Sequence, residues 1–244
     1  MIILDNLIGE FFGTMMLVIL GDGVVANMLL TATKGEKGGI ISIATAWGFA
    51  VTMGIFTAVA LGAPQADLNP AVTLTKTLNG VYTPMESVMT MFIQLMGAFG
   101  GAAIVWLAYL PHWNETKDQS AKLGIFCTAP AIRCSMCNLL CEVITTVVLI
   151  VGIFCIYSTP IGILPPGIGP FLVGVLVWGI GLSLGGPTGY AINPARDLGP
   201  RLAHAILPIA GKGHSDWGYA WIPVVGPFIG ATLAFLFIGY FHLV

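Results

Sequence analysis

Six stretches of this chain are almost unbroken apolar sequence: Leu7–Leu30, Ile40–Leu61, Met85–Leu110, Cys137–Tyr157, Ile168–Leu184 and Tyr219–Leu243. Apolar runs of ~20 residues match the thickness of a bilayer core. Inside lipid every backbone N–H and C=O must be paired within the protein, which leaves α-helices or a closed β-barrel. Barrel strands alternate apolar and polar residues over ~10 positions, and these runs do not alternate. The expected fold class is therefore an all-α membrane protein with six transmembrane helices. Composition agrees, since 8% of the 244 residues are charged and 57% hydrophobic, with a mean hydropathy of +0.92. An ordinary globular chain is about a quarter charged. The lipid bilayer is the expected partner. A net charge of −2 gives no basis for a nucleic-acid partner. No cleavable signal peptide is expected, because the first apolar run is long and has no basic segment before it.

The connections carry turn chemistry: Lys34–Gly39, Thr83-Pro84, the polar run His112–Lys122, Pro165-Pro166-Gly167 and Gly211–Asp216. Five cysteines stand at 127, 134, 137, 141 and 155. The spacing of Cys134, Cys137 and Cys141 suits a metal, yet no further Cys pair or nearby His completes four ligands. They are read as small, reduced thiols, with no metal and no cofactor. Glycines three or four apart in the spans, such as Gly97, Gly100, Gly101 and Gly226, Gly230, allow close helix approach.

The two halves of the chain repeat. Glu10-Phe-Phe-Gly-Thr14 opens one and Glu142-Val-Ile-Thr-Thr146 the other. Asn69-Pro70-Ala71 follows Glu10 by 59 positions, and Asn193-Pro194-Ala195 follows Glu142 by 51. Gly97–Ala102 and Gly226–Ala231 then fall in the last span of each half. Three spans per half is an odd number, so the second copy enters the membrane from the opposite side. The expected organisation is one domain, its halves at about 1–110 and 137–244 joined by a loop at 111–136.

Asparagine is a favoured helix N-cap, and proline suits the first helical position, where its missing N–H had no partner. Each Asn-Pro-Ala copy therefore begins a short helix, Pro70–Asn79 and Pro194–Ala205, too short to span. Entering from opposite faces, their N-termini meet near the midplane.

On these features the chain resembles the major intrinsic protein family, the aquaporins and glycerol facilitators, over essentially its full length. The features are both Asn-Pro-Ala copies, both early glutamates and Arg196 after the second copy. The resemblance implies six transmembrane helices plus two re-entrant half-helices in an inverted repeat, and a homotetramer with one pore per subunit. It also implies cytoplasmic N- and C-termini in the plasma membrane. On that orientation Lys34, Lys37, Lys117, Lys122 and Arg133 lie outside and Lys76 inside, against the positive-inside rule. The resemblance overrides this small count.

Two half-helix N-termini put partial positive charge at the pore centre. Exclusion of cations by an arginine and by half-helix dipoles is already described for aquaporin-type pores. Matched to the family, the selectivity filter falls on Trp47, Gly181, Tyr190 and Arg196. Water-selective members usually carry His at the position of Gly181, so glycine implies a wider pore. Trp47 and Tyr190 would face a polyol's carbon chain and Arg196 its hydroxyls. Asp197 after Arg196, and Pro223-Val224 in the last span, also resemble glycerol facilitators. Asp197 would pair with a nearby cation or cap backbone donors. By the same resemblance, carbonyls of Ala66, Asp67, Leu68, Gly189, Tyr190 and Ala191 form an acceptor ladder, and Val51 and Val72 apolar wall. Glu10 and Glu142 are either buried acceptors bracing the re-entrant loops or proton carriers.

The chain departs from the family at Pro64-Gln65-Ala66-Asp67-Leu68, where Ser-Gly-Ala-His-Leu is common. Asp67 is read either as a negative charge at the inner mouth or as a loop-capping residue. Asp22 would place another charge near the outer end of the first span. The expected function is passive passage of small uncharged solutes, chiefly glycerol, with water also conducted and protons and ions excluded. Alternatives within that class are water, undissociated lactic acid, dihydroxyacetone or urea as main cargo. An ion-coupled transporter shares inverted repeats and broken helices, but only the paired glutamates would serve coupling. Four scattered histidines and no nucleophile–base spacing argue against an enzyme.

Overall fold

A computed structural model describes residues 2–243, and all regular structure among them is helical. In the first half α1 (Ile2–Leu29), α2 (Gly39–Ala60) and α4 (Pro84–Ala108) are long and α3 (Pro70–Leu78) is short. In the second half α7 (Ser135–Ile156), α8 (Ile168–Leu184) and α10 (Ile222–Tyr240) correspond to the long helices, and α9 (Pro194–Ile206) to the short one. Five of these, α1, α2, α4, α7 and α10, are long and apolar enough to cross a membrane. The sixth apolar helix, α8, has 17 residues and a length of about 25 Å.

Local sequence explains most boundaries. Asn69 is extended and accepts from Ala71 N, with Pro70 at the first helical position of α3. Thr83 and Glu86 form a reciprocal capping box ahead of α4, again with proline at its start. Asn193 caps both Ala195 N and Arg196 N at the start of α9.

The long helices pack as two matching sets. α1 lies against α2 and α4, and α7 against α8 and α10, while α2 and α8 join the sets. Each short helix packs against the last long helix of the other half, α3 on α10 and α9 on α4. Small residues allow these approaches. A Cβ on Gly97 would stand 2.3 Å from Phe11 O, and one on Gly226 would stand 2.7 Å from Glu142 Cβ.

Two expectations are corrected. The polar run His112–Lys122 is not a plain turn, because α5 (Leu110–Glu115) and α6 (Gln119–Phe126) form within and beyond it. Asp118 caps Ser120 N and Ala121 N, and α6 buries Ile125 and Phe126 as it packs on α1 and α9. The cysteines are not all reduced thiols. Cys134 and Cys137 form a disulfide, leaving Cys127, Cys141 and Cys155 free. At the first turn of α7 their Cα atoms are 5.3 Å apart, within bridging range. Among the described residues no cluster of metal-binding side chains occurs.

Candidate functional site

The N-termini of α3 and α9 meet in the interior, joined by reciprocal bonds. Asn69 Nδ2 donates to Ile192 O at 2.8 Å, and Asn193 Nδ2 donates to Leu68 O at 2.7 Å. Each Asn Oδ1 caps its own helix. An amide NH2 has two donors, so one N–H on each asparagine remains for a solute.

The loops before the half-helices share an unusual backbone. Ala66, Leu68, Tyr190 and Ile192 all have φ between +40° and +54°. Positive φ is uncommon outside glycine and persists where the surroundings impose it. Here buried carboxylates impose it. Glu10 accepts from Asp67 N at 2.6 Å, Leu68 N at 2.9 Å and Gln94 Nε2 at 2.9 Å. Glu142 accepts from Ala191 N at 3.0 Å and Ile192 N at 2.9 Å. With their N–H groups held this way, the loop carbonyls need partners elsewhere. Those of Leu68 and Ile192 find them in the opposite asparagines. Sequence reading included Leu68 in the acceptor ladder but missed its counterpart, Ile192.

Trp47, Gly181, Tyr190 and Arg196 come together near one end of this passage. The Arg196 guanidinium carbon lies 4.1 Å from the centre of a Trp47 ring, in cation–π geometry. Gly181 faces Tyr190 so closely that a Cβ there would stand 2.9 Å from the phenol. Arg196 Nη1 is 3.7 Å from Asp22.

The two aspartates flanking the passage are both anchored. Asp67 receives Thr73 Oγ1 and Tyr82 OH, each at 2.9 Å, and Lys76 Nζ lies 2.5 Å from its other oxygen. Its side chain has no solvent exposure, so the carboxylate stands at the cavity wall paired with Lys76 and bonded to two hydroxyls. Asp197 accepts from Thr128 N and Oγ1, both at 2.7 Å, and binds Arg201 through Nε and Nη2. Arg201 also donates to Ser215 O, Asp216 O and Thr128 O. Sequence reading did not single out Arg201, although it stands four positions after Asp197 on a helix, where side chains meet. Near this network, at the end of α9, Lys212 donates to the carbonyls of His204, Ala205 and Leu207. Partial desolvation holds its ammonium below the usual lysine range.

A cavity of about 480 Å³ runs through the site. Of the expected residues it touches Trp47, Val51, Ala66, Asp67, Leu68, Asn69, Val72, Tyr190, Ala191, Asn193 and Arg196. Its lining does not include Glu10, Glu142, Pro70, Ala71, Gly181, Gly189, Pro194, Ala195 or Asp197. Glu10, Glu142 and Asp197 instead stand behind the wall as the bonds above describe. The lining also includes residues the sequence did not reveal, among them Leu17, Ile55, Leu149, Ile153, Val173 and Val177. Their signal, helical periodicity, is masked where every face of a helix is apolar.

Comparison with known proteins identifies the family. The profile described as "Major intrinsic protein" matches residues 2–238. The "Probable glycerol uptake facilitator protein" of Thermotoga maritima is 54% identical over 226 residues, covering 93% of this chain and 94% of that protein. The "D/L-lactic acid transporter" of Lactiplantibacillus plantarum is 41% identical, covering 98% of each. The X-ray structure of the aquaglyceroporin from Plasmodium falciparum superposes with a TM-score of 0.83 at 30% identity, covering 97% of this chain and 95% of that one. Across its helices, its paired Asn-Pro-Ala segments and nearly its whole length, this chain belongs to the major intrinsic protein family.

Proposed function

We propose that the protein is a passive membrane channel for small uncharged solutes, chiefly glycerol, that also conducts water and excludes protons and ions. One observation carries the reading: the paired asparagines and a group of two aromatic rings and one arginine line the same cavity. Trp47 and Tyr190 suit the carbon chain of a polyol, and Arg196 and the asparagine amides suit its hydroxyl oxygens. Gly181 supplies the room that the Tyr190 phenol occupies, so the ring can lie back against α8. Carbonyls of Ala66, Asp67, Tyr190 and Ala191 provide acceptors along one wall. Cations meet the positive ends of α3 and α9. Glu10 and Glu142 act as braces, not proton carriers, because each already accepts several donors.

The chain forms one channel domain of two repeat halves, assembled as a homotetramer in the plasma membrane with cytoplasmic termini. Exposed apolar residues on the long helices, such as Phe49, Phe92 and Leu140, suit lipid or a second copy. The relative described as a lactic acid transporter makes undissociated lactic acid the second cargo to test.

Stopped-flow light scattering on proteoliposomes tests the reading. Glycerol-driven reswelling well above protein-free vesicles, with weak temperature dependence, is expected. Fast water flux without glycerol uptake would overturn the filter assignment.

A further inference from the structure

Resting on that reading of the filter, we propose that Asp22 is a specificity-determining residue of the same pore. Its carboxylate is the counter-ion of Arg196, and it keeps the constriction neutral, hence open to uncharged solutes and closed to anions.

Asp22 has no solvent exposure, and one of its oxygens lies 3.7 Å from Arg196 Nη1. Both carboxylate oxygens and Nη1 are buried without any hydrogen-bond partner. A carboxylate in that position is expensive unless it faces a cation, and an arginine at membrane depth is expensive unless it faces an anion. No other acid serves Arg196 among the described residues. Asp197 is held by Arg201 and Thr128, while Glu10 and Glu142 hold the two loops. The preceding residue makes the approach possible. A Cβ on Gly21 would stand 2.3 Å from the Trp47 ring, so only glycine lets α1 lie flat against the indole. Trp47, Arg196 and Asp22 are thereby brought into one group.

The separation matters. At 3.7 Å the pair attracts by charge but falls outside hydrogen-bonding distance. Arg196 is balanced through its buried Nη1 side, without a hydrogen bond from Asp22 to the other guanidinium nitrogens, whose N–H donors are left for a hydroxyl. Without Asp22 the constriction would carry a full positive charge beside two positive helix ends, and small anions would collect there. Fields focused in such clefts raise local counter-ion concentration by about tenfold or more.

Proteoliposomes of the wild-type chain, Asp22→Asn and Asp22→Glu are compared for glycerol reswelling and for uptake of nitrate at neutral pH. Asp22→Asn is expected to admit nitrate about tenfold faster than wild type, and Asp22→Glu to stay near wild type. Wild-type nitrate exclusion in Asp22→Asn vesicles that still take up glycerol would overturn the proposal. Wild-type vesicles that take up no glycerol would overturn the channel reading instead. Should Asp22→Asn fail to insert, Asp22→Ser removes the same carboxylate with a smaller side chain and is expected to admit nitrate in the same way. Wild-type nitrate exclusion in Asp22→Ser vesicles that still take up glycerol would overturn the proposal.

Discussion

Asn69 and Asn193 stand 124 positions apart in the chain, yet each donates to the loop that introduces the other, at 2.8 Å and 2.7 Å. Each also caps its own half-helix. One residue type therefore starts the helix, fixes the opposite loop and keeps a donor for the passage. Asn69→Ala removes a cap worth ~1 kcal/mol and leaves the Ile192 carbonyl unpaired at ~1–3 kcal/mol. Thermal unfolding in detergent should show lower stability by ~2–4 kcal/mol, with glycerol flux reduced.

Gly181 has no room to grow. Because a Cβ there would crowd both Tyr190 and Ala44, Gly181→His should displace the phenol and narrow the constriction. Glycerol permeability should drop by at least about tenfold, the equivalent of ~1.4 kcal/mol of added barrier. Water flux should survive. Paired reswelling and shrinking experiments on the same vesicles check this.

Lys76 is the cation that answers Asp67. Replacing it with methionine keeps the stem and removes the charge, leaving a buried carboxylate with only the Thr73 and Tyr82 hydroxyls. Breaking one side of a buried pair costs ~3–5 kcal/mol. Lys76 is itself partly exposed, so a loss toward the lower end is expected. Combining Lys76→Met with Asp67→Asn should recover much of it, measured as a double-mutant cycle of unfolding midpoints.

Neighbouring glycines of α4 should respond differently to the same change. A methyl on Gly97 meets Phe11 O at 2.3 Å, whereas the nearest atom to one on Gly100 is 3.5 Å away. Gly97→Ala should force α1 and α4 apart and lower the unfolding midpoint, at the ~1–3 kcal/mol typical of overpacking. Gly100→Ala should be close to neutral. Thermal scans of the two purified variants distinguish them.

The features legible in the sequence were those written locally. Apolar runs gave the long helices, and Asn followed by Pro gave the starts of α3 and α9, because cap and first turn lie within a few residues. The early glutamates were legible through the repeat. What stayed hidden depends on residues far apart in the chain. Thr73, Tyr82 and Lys76 converge on Asp67, and Gln94 reaches Glu10 from 84 positions away. The helix α6 looked like polar linker because its support comes from α1 and α9. The Cys134–Cys137 disulfide was missed because the same spacing also suits a metal or free thiols.

The crossing over of the two halves has a consequence for how the protein is made. α3 rests on α10, with Ala71 and Val72 packed among Ala231, Ala234 and Ile238 and Thr75 reaching Ala231 O at 3.4 Å. While a ribosome is still translating the second half, the first half-helix has no wall to lie on, and Asn69 has no opposite loop to hold. The first half-helix therefore gains its wall only when the final helix is in place, and a product truncated before α10 leaves Ala71 and Val72 without the Ala231, Ala234 and Ile238 side chains they pack among.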